Sequence, residues 1–177
     1  MNFFYRLFGH WNTVRKHRRE VRRLCFKCGL YWQGLTHDLS KYSPVEFFNG
    51  VKYYSGKQSP HVSERKENGY SAAWLHHKAH NKHHCDYWLD NITGETESVE
   101  MPRKYLIEMV CDRVAASKCY LGESYTDQAP RDYYLSHFNE GRIHATSRYY
   151  LHLFLFELAE SGEEGMLELI RSYLKNN

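Results

Sequence analysis

Five imidazoles fall within nine residues at His76-His77-Lys-Ala-His80-Asn-Lys-His83-His84, in a chain of 177 residues that carries twelve histidines. Upstream, His37-Asp38 sits inside Thr36-His-Asp-Leu-Ser-Lys41; downstream, Asp112 lies in Cys-Asp-Arg-Val-Ala-Ala-Ser. Imidazoles with interspersed carboxylates are the ligand set of a Zn, Fe, Ni or Mn site. The pattern predicts a metal centre assembled from distant segments.

On a helix, His37 and Asp38 would point about 100° apart, too far to share one ion comfortably. They can share one at the end of a turn, or where Asp38 bridges two ions and His37 binds one of them. A bridging carboxylate needs imidazoles from other helices. His17 offers one, facing inward with Val21 and Leu24. A helix through the 76–84 segment offers more: His77 and His84 stack on one side with Asn81 between them, and His76, His80 and His83 make the neighbouring stripe. Asp112 falls near the apolar face of its own helix, where an unpaired carboxylate is costly to bury and a cation would offset the cost. Bland readings stand beside these. Lys78 and Lys82 fit a solvated His/Lys face, and Asp112 can pair with Arg113 or Lys118. His61, His137, His144 and His152 read as ordinary packed or exposed side chains, as does His10 unless it replaces His17 as the first ligand.

The elements that must position these groups are helical. Between Asn12 and Leu30, apolar residues recur at three- and four-residue steps (Val14, Val21, Leu24, Cys25, Cys28), with Gly29 as a stop and Gly34 breaking the next segment. Ser43-Pro44 starts a helix, with Glu46 three residues on, where a capping box would place it. Residues 49–70 are rich in Gly, Ser, Lys and Tyr and predict a long surface loop. Ser71 caps a helix to about Leu89, and residues 91–97 form a polar turn. Pro102 opens a helix to about Tyr120 with Ile107, Val110, Val114 and Ala115 on one stripe. A short helix runs from Pro130 to Gly141, followed by helices over 147–158 and 163–174. No strand alternation is persuasive. The expectation is one all-α domain over residues 1–177, with six to eight helices.

Composition narrows the class. Apolar residues at 42% and charged residues at 25% match an ordinary globular domain, and 24 basic against 21 acidic residues argue for no polyanionic partner by themselves. The charge is uneven: Arg15-Lys-His-Arg-Arg-Glu-Val-Arg-Arg23 is basic and the stretch after Glu157 acidic. A solvated helix face explains the basic run, and a phosphate-attracting groove is the sharper alternative. The run lacks interleaved aromatics for base stacking, so nucleic acid is not the favoured partner. No run approaches the roughly 20 apolar residues of a membrane span. Five cysteines with no signal peptide ahead of them suit free thiols in the cytoplasm, with the Cys25/Cys28 pair in the core.

The order of these residues resembles the HD superfamily of metal-dependent phosphohydrolases. His37-Asp-Leu-Ser-Lys41 looks like that family's His-Asp motif with Ser in place of Gly, and Cys111-Asp-Arg-Val-Ala-Ala116 like its closing segment. More closely, residues 17–117 resemble a group of small bacterial and phage proteins of unknown function related to that superfamily. The shared landmarks are His17, His37-Asp38, Ser40-Lys41, Pro44, Glu46-Phe47, Trp74-Leu75, His77, Asn81, His83-His84, Tyr87-Trp88 and Asp112. The resemblance implies one or two divalent ions (Fe, Mn, Co, Ni or Zn). Asp38 would bridge or anchor them, His17, His37 and Asp112 would complete the first site, and His77 with His83 or His84 the second. It also implies hydrolysis of a phosphate ester such as a nucleotide by metal-activated water. Lys41, Lys78 or Lys82, with Arg18 or Arg113, are candidates to hold the phosphate, and Glu46 to orient water or a ligand. A di-iron oxygenase and a non-catalytic, metal-stabilised nucleic-acid-binding module are the alternatives.

Overall fold

The computed structural model describes residues 2–137 and 142–176, and among them eight α-helices and one short hairpin make an all-α fold. The helices are α1 (Phe3–Lys27), α2 (Tyr31–Thr36), α3 (Pro44–Tyr53), α4 (Pro60–Asn68), α5 (Ala72–His80), α6 (Arg103–Leu121), α7 (Ala129–Ser136) and α8 (Ala145–Lys175). Short 3-10 helices cover Leu39–Tyr42 and Cys85–Trp88, and β1 (Leu89–Asn91) pairs antiparallel with β2 (Thr96–Ser98). No described helix is long and apolar enough to cross a membrane.

The core lies where α1, α6 and α8 meet. Val21, Leu24 and Cys25 of α1 face Leu106, Ile107, Val110 and Val114 of α6, with Leu151, Phe154, Leu155 and Leu158 of α8 behind them. The apolar stripes expected on α1 and α6 are both buried. The two expected C-terminal helices run end to end as α8, broken where Gly162 adopts φ 73°, ψ −174°, a conformation essentially confined to glycine.

Several boundaries differ from expectation, beginning with α1, which starts at Phe3 and not near Asn12. Residues 49–70 are not a loop, because α3 continues to Tyr53 and α4 follows, opened by Pro60 and closed by Gly69 at φ 79°. Buried Glu64 holds α4 in place: its carboxylate accepts from Ser71 Oγ (2.5 Å) and from the Ala72 N–H (3.0 Å) at the start of α5. Gly34 does not break a segment; it lies within α2, packed so closely that a Cβ would come within 3.0 Å of Phe26. And α5 stops at His80, nine residues before the expected end, because the Asn81 amide donates to the His77 carbonyl at 2.8 Å in place of a further helical N–H. The expected stop at Gly141 lies outside the described residues.

The basic and acidic segments meet at one point. Glu163, just past the Gly162 break, accepts from Arg23 (2.5 and 2.6 Å) and Lys118 (2.5 Å), joining α8 to α1 and α6. Burial alone would raise the Glu163 pKa, but these donors outweigh it and bring it from 4.5 to about 2. A depressed carboxylate contributes stability above its unfolded pKa and loses it as pH falls through the folded one. Glu163→Gln is therefore expected to lower stability at pH 7 by about 1–2 kcal/mol. In urea titrations its deficit against wild type should shrink between pH 4.5 and 2. A deficit that does not change with pH would contradict this.

Candidate metal centre

Asp38 is fully buried, at 1% exposure, and is the sole non-glycine residue with positive φ among those described (φ 53°, ψ 28°). Asp tolerates this left-handed geometry better than most residues, though at some cost. It reverses the chain between α2 and the Leu39–Tyr42 turn, so His37 and Asp38 leave a tight corner rather than a helix. That corner lets both side chains face one centre. Arg18 pins it, donating Nε to the His37 carbonyl (2.8 Å) and a terminal nitrogen to that of Leu35 (3.1 Å).

The Asp38 carboxylate has two sides. On one, Oδ2 lies 3.4 Å from His17 Nε2 and 3.3 Å from His37 Nε2. Asp112 Oδ1 completes this group, 3.0 Å from His17 Nε2 and 3.5 Å from His37 Nε2. On the other side, Oδ1 lies 3.3 Å from His77 Nε2 and 3.5 Å from His83 Nε2, with His84 alongside. Each set of four residues offers ligand atoms that all lie within 4.8 Å of one another, and Asp38 belongs to both. A third group of this spacing joins His37, His83 and Glu108.

Carboxylates behind the imidazoles fix their tautomers. His77 Nδ1 donates to Glu46 Oε2 and His76 Nδ1 to Glu46 Oε1, both at 2.7 Å. His37 Nδ1 donates to Glu108 Oε1 at 2.8 Å, and His83 Nδ1 lies 3.2 Å from the same oxygen. The Nε2 lone pairs of His37 and His77 are thereby turned inward, as ligating histidines require. The fit to a cation shows most clearly in atoms left without hydrogen-bond partners: Asp38 Oδ1, His83 Nε2 and His84 Nε2 are all buried, and all belong to the second group. Leaving one such group unpaired costs on the order of 1–3 kcal/mol.

Charge on the first side is balanced by cations of the chain itself. Lys41 Nζ donates to Asp38 Oδ2 at 2.5 Å. Burial opposes ionisation of Asp38, yet His37, Lys41 and His77 hold its carboxyl well below the usual carboxylate range. For His17, burial and Lys41 push the pKa down, but Asp112 and Asp38 prevail and raise it to about 9. Metal binding to such a site displaces protons from the ligands.

All seven expected metal ligands, His17, His37, Asp38, His77, His83, His84 and Asp112, thus come together. His83 and His84 do so from the turn after α5, not from its helical face. His10, the alternative first ligand, lies apart; its ring packs on Phe47 at 5.5 Å, and burial takes its pKa to about 4. Asp112 turns to His17 and His37, while Lys118 pairs with Glu20 and Glu163. Both oxygens of Glu46 are engaged by histidines, so it orients imidazoles and leaves the return half of the capping box unmade; Ser43 Oγ still accepts from the Glu46 N–H at 3.4 Å. Sequence reasoning missed Glu108. Its position four residues before Asp112, on the same face of α6, was the available signal.

A family model described as a family of unknown function (DUF5662) matches residues 6–155. The chain belongs to this family. The matched span contains every residue of the centre from His17 to Asp112. Neither the curated proteins nor the solved structures contain a match to the chain.

Returning a divalent transition ion to chelator-treated protein is expected to raise its thermal midpoint by several degrees. Asp38→Asn, which keeps a side chain tolerant of positive φ while removing the charge, should abolish most of that rise. Glu108→Gln should weaken metal affinity by about 10–100-fold. Equal thermal shifts in wild type and Asp38→Asn would contradict the assignment.

Proposed function

We propose that the chain is a metal-dependent phosphohydrolase of the HD type, acting on a phosphate ester such as a nucleotide. The observation that carries this reading is the shared Asp38 carboxylate, which faces His17, His37 and Asp112 with one oxygen and His77, His83 and His84 with the other. One or two divalent transition ions held there would lower the pKa of bound water and stabilise charge developing on phosphate oxygens.

The remaining work falls to the chain's own groups. Glu46 and Glu108 keep His77 and His37 in their ligating tautomers. Lys41, with a side chain 25% exposed, sits at the rim beside Asp38 and can pair with a phosphate oxygen. A cavity of about 280 Å³ opens against His83 and Glu108 and is also lined by Trp32, Tyr105, Lys82 and Lys104. Two aromatic rings and two ammonium groups suit the base and phosphate of a small phosphorylated substrate.

The test is to strip the purified protein, reload it with Mn, Co, Fe, Ni or Zn, and offer panels of nucleotides and small phosphodiesters. Phosphate-ester hydrolysis is expected with at least one ion, and His37→Ala and Asp112→Ala should each lower it by at least about 100-fold. Turnover that ignores metal, or survives both substitutions, would overturn the proposal. Oxygen consumption by the iron form without ester hydrolysis would replace it with the oxygenase reading.

A further inference from the structure

On the side of α1 opposite His17, a second pattern emerges. Arg15, Arg19 and Arg22 recur at steps of four and three residues, which places them on one helical stripe. Phe8 and Trp11 continue that stripe toward the N-terminus and Phe26 toward the C-terminus, and all six side chains are exposed. With Lys16, the three arginines line a groove of about 530 Å³ whose far wall includes Gly34 of α2 and Tyr42.

Among the described residues these cations have no carboxylate partner. Arg23, one position further on, is held by Glu20 and Glu163. Among the described residues no acidic group lies within 4.0 Å of Arg15, Lys16, Arg19 or Arg22. Aromatic pairs flank the run: Trp11 packs on Tyr42 at 5.4 Å, and Phe26 on Tyr31 at 5.2 Å. The primary structure of the basic run shows no such rings, because α2 and the turn after Asp38 supply half of them.

We propose that this groove binds single-stranded nucleic acid, with phosphates along Arg15, Lys16, Arg19 and Arg22 and bases stacked on the flanking rings. A basic groove that tracks the backbone, with aromatic platforms beside it, is how single strands are held without sequence preference. Along the helix the arginines climb in steps of about 6 and 4.5 Å, a scale that suits successive phosphates of an extended strand. An anionic membrane surface fits less well. A helix lying on a bilayer sets an apolar face beside a basic one around its axis, whereas here apolar and basic residues follow each other along one stripe and the basic ones line a concavity. The groove lies outside the metal centre, so binding there stands or falls independently of hydrolysis.

The experiment is fluorescence anisotropy of the full chain, in chelator, with a labelled oligothymidylate of about 20 nucleotides. Binding is expected to weaken with salt at a log–log slope of about −3, the value for four phosphate contacts on a single strand. Arg15→Glu/Arg19→Glu/Arg22→Glu should weaken it by at least about tenfold with an unchanged thermal midpoint. Should that variant misfold, Arg19→Gln/Arg22→Gln decides, with about threefold weaker binding expected. Binding by the folded variant equal to wild type, salt-insensitive binding, or capture of phosphatidylserine vesicles without the oligonucleotide would each overturn the proposal.

Discussion

Burying the Asp38 carboxylate among five imidazoles imposes the condition that the surrounding structure meets. An ionised carboxylate removed from water costs several kcal/mol unless opposite charge and hydrogen bonds surround it. Two segments far apart in sequence supply that compensation, α1 with His17 and the Leu39–Tyr42 turn with Lys41, while Asp112 and Glu108 of α6 hold the His17 and His37 imidazoles in place. The end of α5 and the turn after it add His77, His83 and His84. None of these groups would be stable in so dry a place without the others. The left-handed backbone at Asp38 has the same origin, since a regular helix would point His37 and Asp38 in different directions.

Fold and centre are coupled through the same helices. The α1/α6/α8 core fixes the rotation of α1 and α6, so inward-facing Val21 and Leu24 carry His17 with them, and Ile107 and Val110 carry Glu108 and Asp112. Charge is divided in a similar way. The acidic residues of α8 neutralise Arg23 and Lys118 near the core, while the arginines on the outer stripe of α1 keep their charge toward solvent.

Much of this was readable from residues alone. The apolar stripes of α1 and α6 and the Ser43-Pro44 start depend on local spacing and residue type, which a sequence displays directly, whereas the set of seven candidate ligands was narrowed from a larger group of histidines by the resemblance to the HD superfamily. What escaped depended on side chains acting on the backbone from a distance. Asn81 ends α5 by taking the His77 carbonyl, and Glu64 anchors α4 by capping α5; neither bond follows from periodicity. The polar composition around Pro60 hid a helix whose boundary signals, Pro at the start and Gly69 at the end, were present. Glu108 was passed over because a lone glutamate on a helix carries no mark until its histidine partners are in place.

The most direct test of the central claim is anomalous scattering from crystals of the metal-loaded protein, measured at the absorption edge of the added ion. The account predicts density on both sides of Asp38, one peak within ligand distance of His17, His37 and Asp112 and one by His77, His83 and His84. Ions bound only elsewhere on the chain, or none at Asp38 under saturating metal, would contradict it.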